Sequence, residues 1–239
     1  DSFDLDLADD DGGTAGPATV SVNIAAVNDT PTIDTNTTLG VDEGATKAIS
    51  NTELSASDDD DTDGNLTYTV EAAPADGALI IDGSGTGSID GTKDGESALG
   101  QNGTFQQSTI DSSELLYVHD GDESASDSFD FSVSDGSDST ATETFNFSIN
   151  AINDAPSFGG DAQLNVNEGA SVTLQTADVT ANDPDDSGSD LTYTLAAAPS
   201  PGTLSVNGTA LSMSDTFTQA DLEAGDVQYS HDGSENPNT

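Results

Sequence analysis

The chain repeats itself at a long and constant interval. Val27-Asn28-Asp29-Thr30-Pro31 returns as Ile152-Asn153-Asp154-Ala155-Pro156, and Val41-Asp42-Glu43-Gly44 returns as Val166-Asn167-Glu168-Gly169. Asp58-Asp59-Asp60 with Leu66-Thr67-Tyr68-Thr69 returns as Asp183-Pro184-Asp185 with Leu191-Thr192-Tyr193-Thr194, and each paired residue stands 125 positions from its copy. A period of that length is a whole domain, not one turn of a short-repeat solenoid. The chain therefore reads as part of a tandem array whose acidic residues recur at fixed addresses.

Every strong local signal is for β structure. Strict alternation runs through Ser128–Val133 and Thr144–Asn150, and again through Ala18–Ile24 and Leu66–Val70. Phe, Val, Ile and Tyr take one face of each run, as half-buried strands require, and Gly and Asp clusters separate the runs. Helical signals are weak: Gln219–Glu223 and Ser112–Leu115 each suggest one turn. This predicts an all-β fold of tandem sandwich domains joined end to end, with about seven strands each. Residues 29–150 form a complete repeat, and 151–239 form a repeat without its last two strands. Residues 1–28 match a last strand pair, because Asp1-Ser2-Phe3-Asp4-Leu5-Asp6-Leu7 parallels Asp127-Ser128-Phe129-Asp130-Phe131-Ser132-Val133. Joining Thr239 to Asp1 would restore a full repeat to within one residue. Two readings follow: a slice cut at arbitrary points, or copies that complete one another head to tail as a fibre by strand exchange.

Charge excludes several functions. With 46 acidic residues against two lysines, the formal net charge is −44. Such a surface repels nucleic-acid phosphates and anionic lipid alike. No apolar run reaches membrane-spanning length, which argues against direct membrane insertion. The chain has no cysteine, so neither disulfides nor thiolate metal sites contribute. No phosphate loop, basic patch or redox motif is present, and Asn-x-Ser/Thr sequons occur at the rate expected of so Asn- and Thr-rich a sequence. His119 and His231 fall in equivalent His-Asp-Gly segments, which reads as repeated loop architecture and not as a catalytic constellation. An enzyme is not expected. The composition suits a salt-rich extracellular setting.

The acids themselves suggest a cation. If successive strands run up and down, Glu43-Gly44 turns at one end of a domain together with His119-Asp120-Gly121-Asp122-Glu123. Asp58 and Asp60 lie at the other end with Asp135-Gly136. The last strand then delivers Asn153 and Asp154 to the first end, where the next repeat presents Asp183 and Asp185. Glu43, one or more of Asp120, Asp122 and Glu123, Asn153 with Asp154, and Asp183 with Asp185 are therefore expected to share one junction. Asn28, Asp29, Asp58 and Asp60 occupy the corresponding addresses before the first complete repeat, and Glu168 occupies the address of Glu43 in the second. Oxygen-only donors select hard cations, and calcium accepts six to eight oxygens in loose geometry where magnesium demands an octahedron. Zinc and copper fit poorly without thiolates and with so few imidazoles. The competing reading is that Asp and Asn simply serve tight turns; identical placement of Asp58/Asp60 and Asp183/Asp185 beside a linker acid favours Ca2+.

The Asn-Asp-x-Pro linkers, the Val-x-Glu-Gly strand end, the Asp-x-Asp loop and the Asp-Ser-Phe-x-Phe-x-Val-x-Asp-Gly segment resemble bacterial cadherin-like tandem repeats. These are the repeats of giant RTX-type adhesins and VCBS-containing surface proteins, and the similarity covers essentially the whole chain. The resemblance implies a cadherin-like or immunoglobulin-like β-sandwich, interdomain calcium and an extender role in a cell-surface adhesin. It points to Glu43, Asp154, Asp183 and Asp185 as ligands. The chain departs from that pattern at two places: Ala151 stands where cadherins place an acid, and His119-Asp120-Gly121 replaces an acid-Arg-Glu pattern. The partners implied are neighbouring repeats of the same protein, or further copies of it. An alternative is a glycan- or protein-binding module that uses the Gly-rich insertion within Asp82–Gln107.

Overall fold

The computed structural model describes residues 1–83 and 97–235. The chain divides into two compact units, Asp1–Asn150 and Ala151–Thr239.

Unit 1 opens with β1 (Ser2–Ala8) and β2 (Thr14–Ser21), an antiparallel pair that forms a sheet of its own. β2 stops at Ser21, so Val22–Ile24, expected to extend it, lie outside the strand. The sandwich is built from β3 (Thr32–Asn36), β4 (Leu39–Asp42), β5 (Thr46–Ala48), β6 (Leu54–Ser57), β7 (Thr67–Ala72), β8 (Gly77–Ile81), β9 (Ser97–Leu99) and β10 (Thr104–Gln106). A one-turn helix α1 (Gln107–Asp111) precedes β11 (Leu115–His119), β12 (Ser126–Ser134) and β13 (Glu143–Asn150). One sheet has the order β10-β7-β12-β13-β4, in which β4 runs parallel to β13. A second has the order β5-β11-β8-β9, and β3 pairs with β6 alone. The plan of about seven strands is thus carried by more segments, because the first two strands of the repeat each break and change partners. The turn expected at Ser112–Leu115 lies earlier: the helix ends at Asp111, Ser113 has φ of +58°, and Leu115 already begins β11.

Alternation determines what the sheets bury. Phe129, Phe131 and Val133 of β12 and Phe145, Phe147 and Ile149 of β13 point inward, while the intervening Ser, Asp, Thr and Asn point out. Across the sandwich Tyr117 stacks on Phe147 with ring centroids 3.7 Å apart, and within the first sheet Tyr68 stacks on Phe105 at 4.9 Å. Two buried polar side chains of the core, Gln107 and Asp127, are paired as burial demands. The Gln107 amide oxygen accepts from Ala56 N–H and from the Tyr68 hydroxyl. The Asp127 carboxylate accepts from Ala75 N–H, Asp76 N–H, Ser128 N–H and the Tyr117 hydroxyl. Burial, then that carboxylate, push the Tyr117 hydroxyl well above its ordinary pKa.

Unit 2 repeats this plan with β14 (Ser157–Gly159), β15 (Ser171–Thr173), β16 (Thr180–Asn182), β17 (Thr192–Thr194), β18 (Thr203–Val206), β19 (Thr209–Ala210), β20 (Thr216–Thr218), α2 (Gln219–Glu223) and β21 (Val227–Ser230). α2 falls where the sequence predicts it. Gln219 reproduces the role of Gln107, accepting from Ala181 N–H and from the Tyr193 hydroxyl. The pairings are β14-β16, β17-β20 and β15-β21-β18-β19. The core is correspondingly small: Phe217, Leu222 and Val227, with Tyr193 and Leu204 among the half-buried side chains against them. Most of the Gly-rich insertion proposed as a ligand surface, residues 84–96, lies outside the described residues.

Candidate metal centres

At the linker end of unit 1, Asx-type turns gather the acids. Asp58 Oδ1 accepts from Asp60 N–H at 2.8 Å and Asp61 N–H at 2.9 Å, which folds the Asp58–Asp61 loop back onto its first residue. Asp135 Oδ1 accepts from Ser137 N–H at 2.6 Å and Asp138 N–H at 2.7 Å, closing the β12–β13 turn in the same way. The linker joins both loops. Asn28 Nδ2 donates to Asp135 Oδ2 and to Asp138 Oδ2, each at 2.9 Å, and Asp29 N–H donates to Asp60 Oδ2 at 2.8 Å. Carboxylate oxygens of Asp58, Asp61 and Asp135 come to lie within 4.8 Å of one another. The Asp138 N–H, the Asn28 amide and the Ser137 N–H hold the Asp135 carboxyl below its ordinary range.

One atom in this cluster is anomalous. Asp58 Oδ2 is buried and makes no hydrogen bond. A buried carboxylate oxygen without a donor carries a desolvation cost that a paired one does not. Here it faces like charge, and among the described residues no lysine or arginine is available to it, because Lys47 donates to Gly40 O. All donors are oxygens, which suits a hard divalent cation.

Unit 2 builds the same arrangement from its own residues. Asp183 Oδ1 accepts from Asp185 N–H at 3.0 Å and Asp186 N–H at 3.1 Å. Asp154 N–H donates to Asp185 Oδ2 at 2.6 Å, and Asn153 Nδ2 donates to Asp154 O at 2.6 Å, as Asn28 Nδ2 does to Asp29 O at 2.9 Å.

At the opposite end of unit 1 the organising group is an imidazole. His119 is 2% exposed, and its Nδ1 accepts from Gly44 N–H and Gly121 N–H, both at 3.1 Å. That double acceptance places the ring proton on Nε2, which donates to Ser124 Oγ at 3.0 Å. Gly44 and Gly121 both have positive φ, +64° and +89°, a region open to glycine without penalty; this is how two turns can aim their amides at one nitrogen. His231 repeats the fastening with Gly169 N–H at 3.3 Å and Gly233 N–H at 3.1 Å. The pinned turns carry Glu43, whose carboxylate lies within 4.8 Å of that of Glu123, and, in unit 2, Glu168. The 2.9 Å bond from Glu43 N–H to Asn150 O, with Asn150 Nδ2 on Asp42 Oδ1 at 3.0 Å, brings the exit of unit 1 to the same turn. Asp120 lies beside His119 and Asp122, but its Oδ1 accepts from Asp122 N–H at 3.1 Å. His119 fits poorly as a metal ligand, since Nδ1 is already used twice and Nε2 bears the proton.

The structure therefore brings together Asn28, Asp29, Asp58 and Asp60 in unit 1, and Asn153, Asp154, Asp183 and Asp185 in unit 2. Glu43, Asp120 and Glu168 belong to the histidine-fastened ends. Sequence reasoning missed Asp61 and Asp138 as members of the first cluster, and assigned Asp135 to that end without naming it a ligand. Asp61 was readable, because Asp186 repeats it.

A family model described as cadherin-like matches residues 31–151 and 156–239. The chain belongs to the cadherin-like family. Among this cadherin-like chain's relatives, extracellular matrix protein 3 of Lytechinus variegatus is 30% identical over 213 residues, which are 89% of this chain and 7% of that protein. Human extracellular matrix organizing protein FRAS1 is 30% identical over 236 residues, 98% of this chain and 6% of that one. The chain thus spans a small fraction of the length of the curated relatives it matches. A solved structure of human CDH23 EC21-23 is similar with a TM-score of 0.45 at 19% identity, over 95% of this chain and 71% of that one. No helix among the described residues is long and apolar enough to cross a membrane. The extracellular setting read from composition agrees with these matrix relatives.

Proposed function

We propose that this chain is a non-enzymatic extender: a run of cadherin-like repeats in an extracellular array, with calcium stiffening the junctions. The observation that carries the reading is the repeated linker device, in which Asn28-Asp29 and Asn153-Asp154 each engage an Asp-x-Asp loop of their own unit. A linker tied to the first loop of its domain restricts bending at that point. When bound, calcium would supply the positive charge that these acidic clusters otherwise lack. Asp58, Asp61 and Asp135 are the carboxylates available to it in unit 1, with Asn28 and Asp60 positioning them. Asp183, Asp185 and Asp186 are the counterparts in unit 2, and Glu43 with Glu123 would contribute at the junction by address. The imidazole fasteners hold turns, which is a structural task.

The neighbours of such a unit are further repeats of the same protein. The resemblance of the linker and loop motifs points to a bacterial surface adhesin as the setting, whereas the matched relatives are animal matrix proteins; the extender role is the same in both. The test is small-angle scattering and calorimetry on the 239-residue chain, with calcium titrated through roughly 10⁻⁴–10⁻³ M, the range of extracellular modules. Calcium is expected to narrow the distribution of end-to-end distances and raise the melting temperature. Asp183→Asn with Asp185→Asn should abolish the narrowing, and Asp34→Asn with Asp161→Asn should not. Superimposable profiles in calcium and in chelator would sink the cation reading.

A further inference from the structure

Two Asn-Gly pairs occur in the sequence, Asn102-Gly103 and Asn207-Gly208, and each is followed by threonine. An Asn-Gly pair is open to spontaneous succinimide chemistry. The backbone nitrogen of the following residue attacks the asparagine amide, and glycine puts no side chain in the way. Because the two tripeptides are identical, the fold decides which of them reacts.

The fold treats them differently. Asn207-Gly208 is the whole loop between β18 and β19: Val206 pairs with Thr209 across it, and the two loop residues have φ of +49° and +77°. Positive φ at both positions marks a two-residue type I′ hairpin, for which Asn-Gly is the preferred sequence. Both residues are exposed, and a Cβ on Gly208 would meet nothing within 4 Å. Among the described residues Gly208 N–H has no backbone acceptor. β19 is an edge strand of two residues, joined to its sheet through β18 alone, so its tip can open without disturbing the core.

Asn102-Gly103 sits in the β9–β10 connection and is held from both sides. Gly103 N–H donates to Gly100 O at 2.9 Å, Gly103 O accepts from Val70 N–H at 2.9 Å, and Asn102 N–H donates to Val70 O at 2.7 Å. A Cβ on Gly103 would lie 2.9 Å from Gly100 O and 3.1 Å from Leu99 Cδ2. Leu99 and Phe105, on either side in sequence, are buried in the core of unit 1. The attacking nitrogen is thus already engaged, and its peptide is fastened to β7.

We infer that Asn207 is a self-modification site, converting through a succinimide to aspartate and isoaspartate, while the fold protects Asn102. The Gly208 nitrogen gives its proton to hydroxide and bonds to Asn207 Cγ; the Cγ–Nδ2 bond breaks and that nitrogen leaves as ammonia. Water then adds to one of the two ring carbonyls and breaks its bond to the Gly208 nitrogen. The sum is asparagine plus water giving a carboxylic acid plus ammonia, with no oxidant, reductant or enzyme. Addition at the main-chain carbonyl gives isoaspartate, which lengthens the main chain by one methylene in a turn whose register depends on its length. β19 then loses its pairing with β18, and Leu211, which packs with Leu204 and Val206 against the core of unit 2, loses its anchor.

The test is peptide mapping of the 239-residue chain, made in a host without N-glycosylation and aged at mildly alkaline pH. Conversion is read from isoaspartyl methyltransferase labelling and from the mass change of NH2 to OH in each peptide. Breaking the two backbone bonds of Gly103 before attack should slow Asn102 by about tenfold relative to Asn207 in the folded chain. In urea the two should convert at matching rates. Both rates should rise with pH, since the attacking nitrogen must lose its proton. Asn207→Gly keeps a residue suited to positive φ and should abolish the reaction in unit 2. In converted protein, hydrogen exchange at Leu211 N–H, which donates to Leu204 O at 2.8 Å, should accelerate, and exchange in unit 1 should not. Equal rates at Asn102 and Asn207 in the folded chain, a faster rate at Asn102, or an Asn207 that reacts only in urea would overturn the site. Unchanged exchange at Leu211 after conversion would overturn the loosening of β19.

Discussion

Asp58→Asn should change the stability of unit 1 in opposite directions with and without calcium. Without the cation, Asp58 Oδ2 is buried and unpartnered, and its carboxylate has those of Asp61 and Asp135 within 4.8 Å. At such range each like-charge neighbour costs on the order of 1 kcal/mol even at the dielectric constant of water, so neutralising Asp58 should relieve about 1–2 kcal/mol. The asparagine keeps Oδ1 as acceptor for Asp60 N–H and Asp61 N–H and places an N–H where the orphaned oxygen was, facing the remaining carboxylates. In chelator the melting temperature of unit 1 should therefore rise, by about 3–6 °C per kcal/mol for a domain of this size. With calcium the same change removes a charged ligand. A site held at a hundred times its dissociation constant contributes about 2.7 kcal/mol to stability, and losing most of that in the variant outweighs the about 1–2 kcal/mol of relieved repulsion.

Calorimetry on the full chain, in chelator and in calcium, reads both arms. Asp34→Asn, an exposed acid on β3 outside the cluster, is the control for general relief of a net charge of −44. The expected pattern is a rise for Asp58→Asn in chelator and a fall in calcium, with Asp34→Asn small in both. A fall in both conditions would mean that Asp58 serves only its turn. An equal rise in both would mean that the cluster binds no cation.

Two further predictions test the scaffold. Gln107→Leu leaves Ala56 N–H and the Tyr68 hydroxyl without their acceptor in the core of unit 1; each buried donor so stranded costs about 1–3 kcal/mol, so urea unfolding should show a loss on the order of 2–5 kcal/mol, and Gln101→Leu at the exposed surface should show little. In α2, Asp221 accepts from Thr218 N–H and Thr218 Oγ1 in a capping box, and the backbone N–H followed by the hydroxyl lowers its pKa. A depressed carboxyl contributes stability that is present above its unfolded value of about 3.9 and is lost as pH falls through the lower folded value, so amide protection of residues 219–224 should decline in that acid range; Asp221→Asn should make protection there independent of pH.

The strands legible in the sequence are those whose alternation is complete within one segment. Ser128–Val133 and Thr144–Asn150 have every second residue apolar, and they became β12 and β13 almost to the residue. β3 and β6 were not separable from the strands beside them, because changing sheets depends on which edge is free and not on local pattern. α1 was misplaced because Ser112-Ser113 look like a helix start; Ser113 instead takes positive φ and ends the helix, whose anchors are the buried Gln107 and Ile110. Of the acidic cluster, the repeat exposed Asn28, Asp29, Asp58 and Asp60 because each has a copy 125 positions on. Asp138 has no copy at that offset, where Gly13 stands, and the bonds of Asp135 and Asp138 to Asn28 span more than a hundred residues, so only the folded hairpin turn reveals their part in the cluster. The histidine fasteners were legible as repeated loops, but their geometry required the facing glycines to be seen together.

Residues 39–42 and 164–167 sharpen the physical point. Leu39-Gly40-Val41-Asp42 and Leu164-Asn165-Val166-Asn167 share the same apolar spacing and precede the same Glu-Gly turn, yet only the first is a strand. Local propensity is therefore not what decides. The first segment has the edge of β13 to pair with, and pairing with a neighbour, along with the burial it brings, is what stabilises a short strand. The same absence explains why Leu164 and Val166 are only half-buried while Leu39 and Val41 are 4% and 1% exposed.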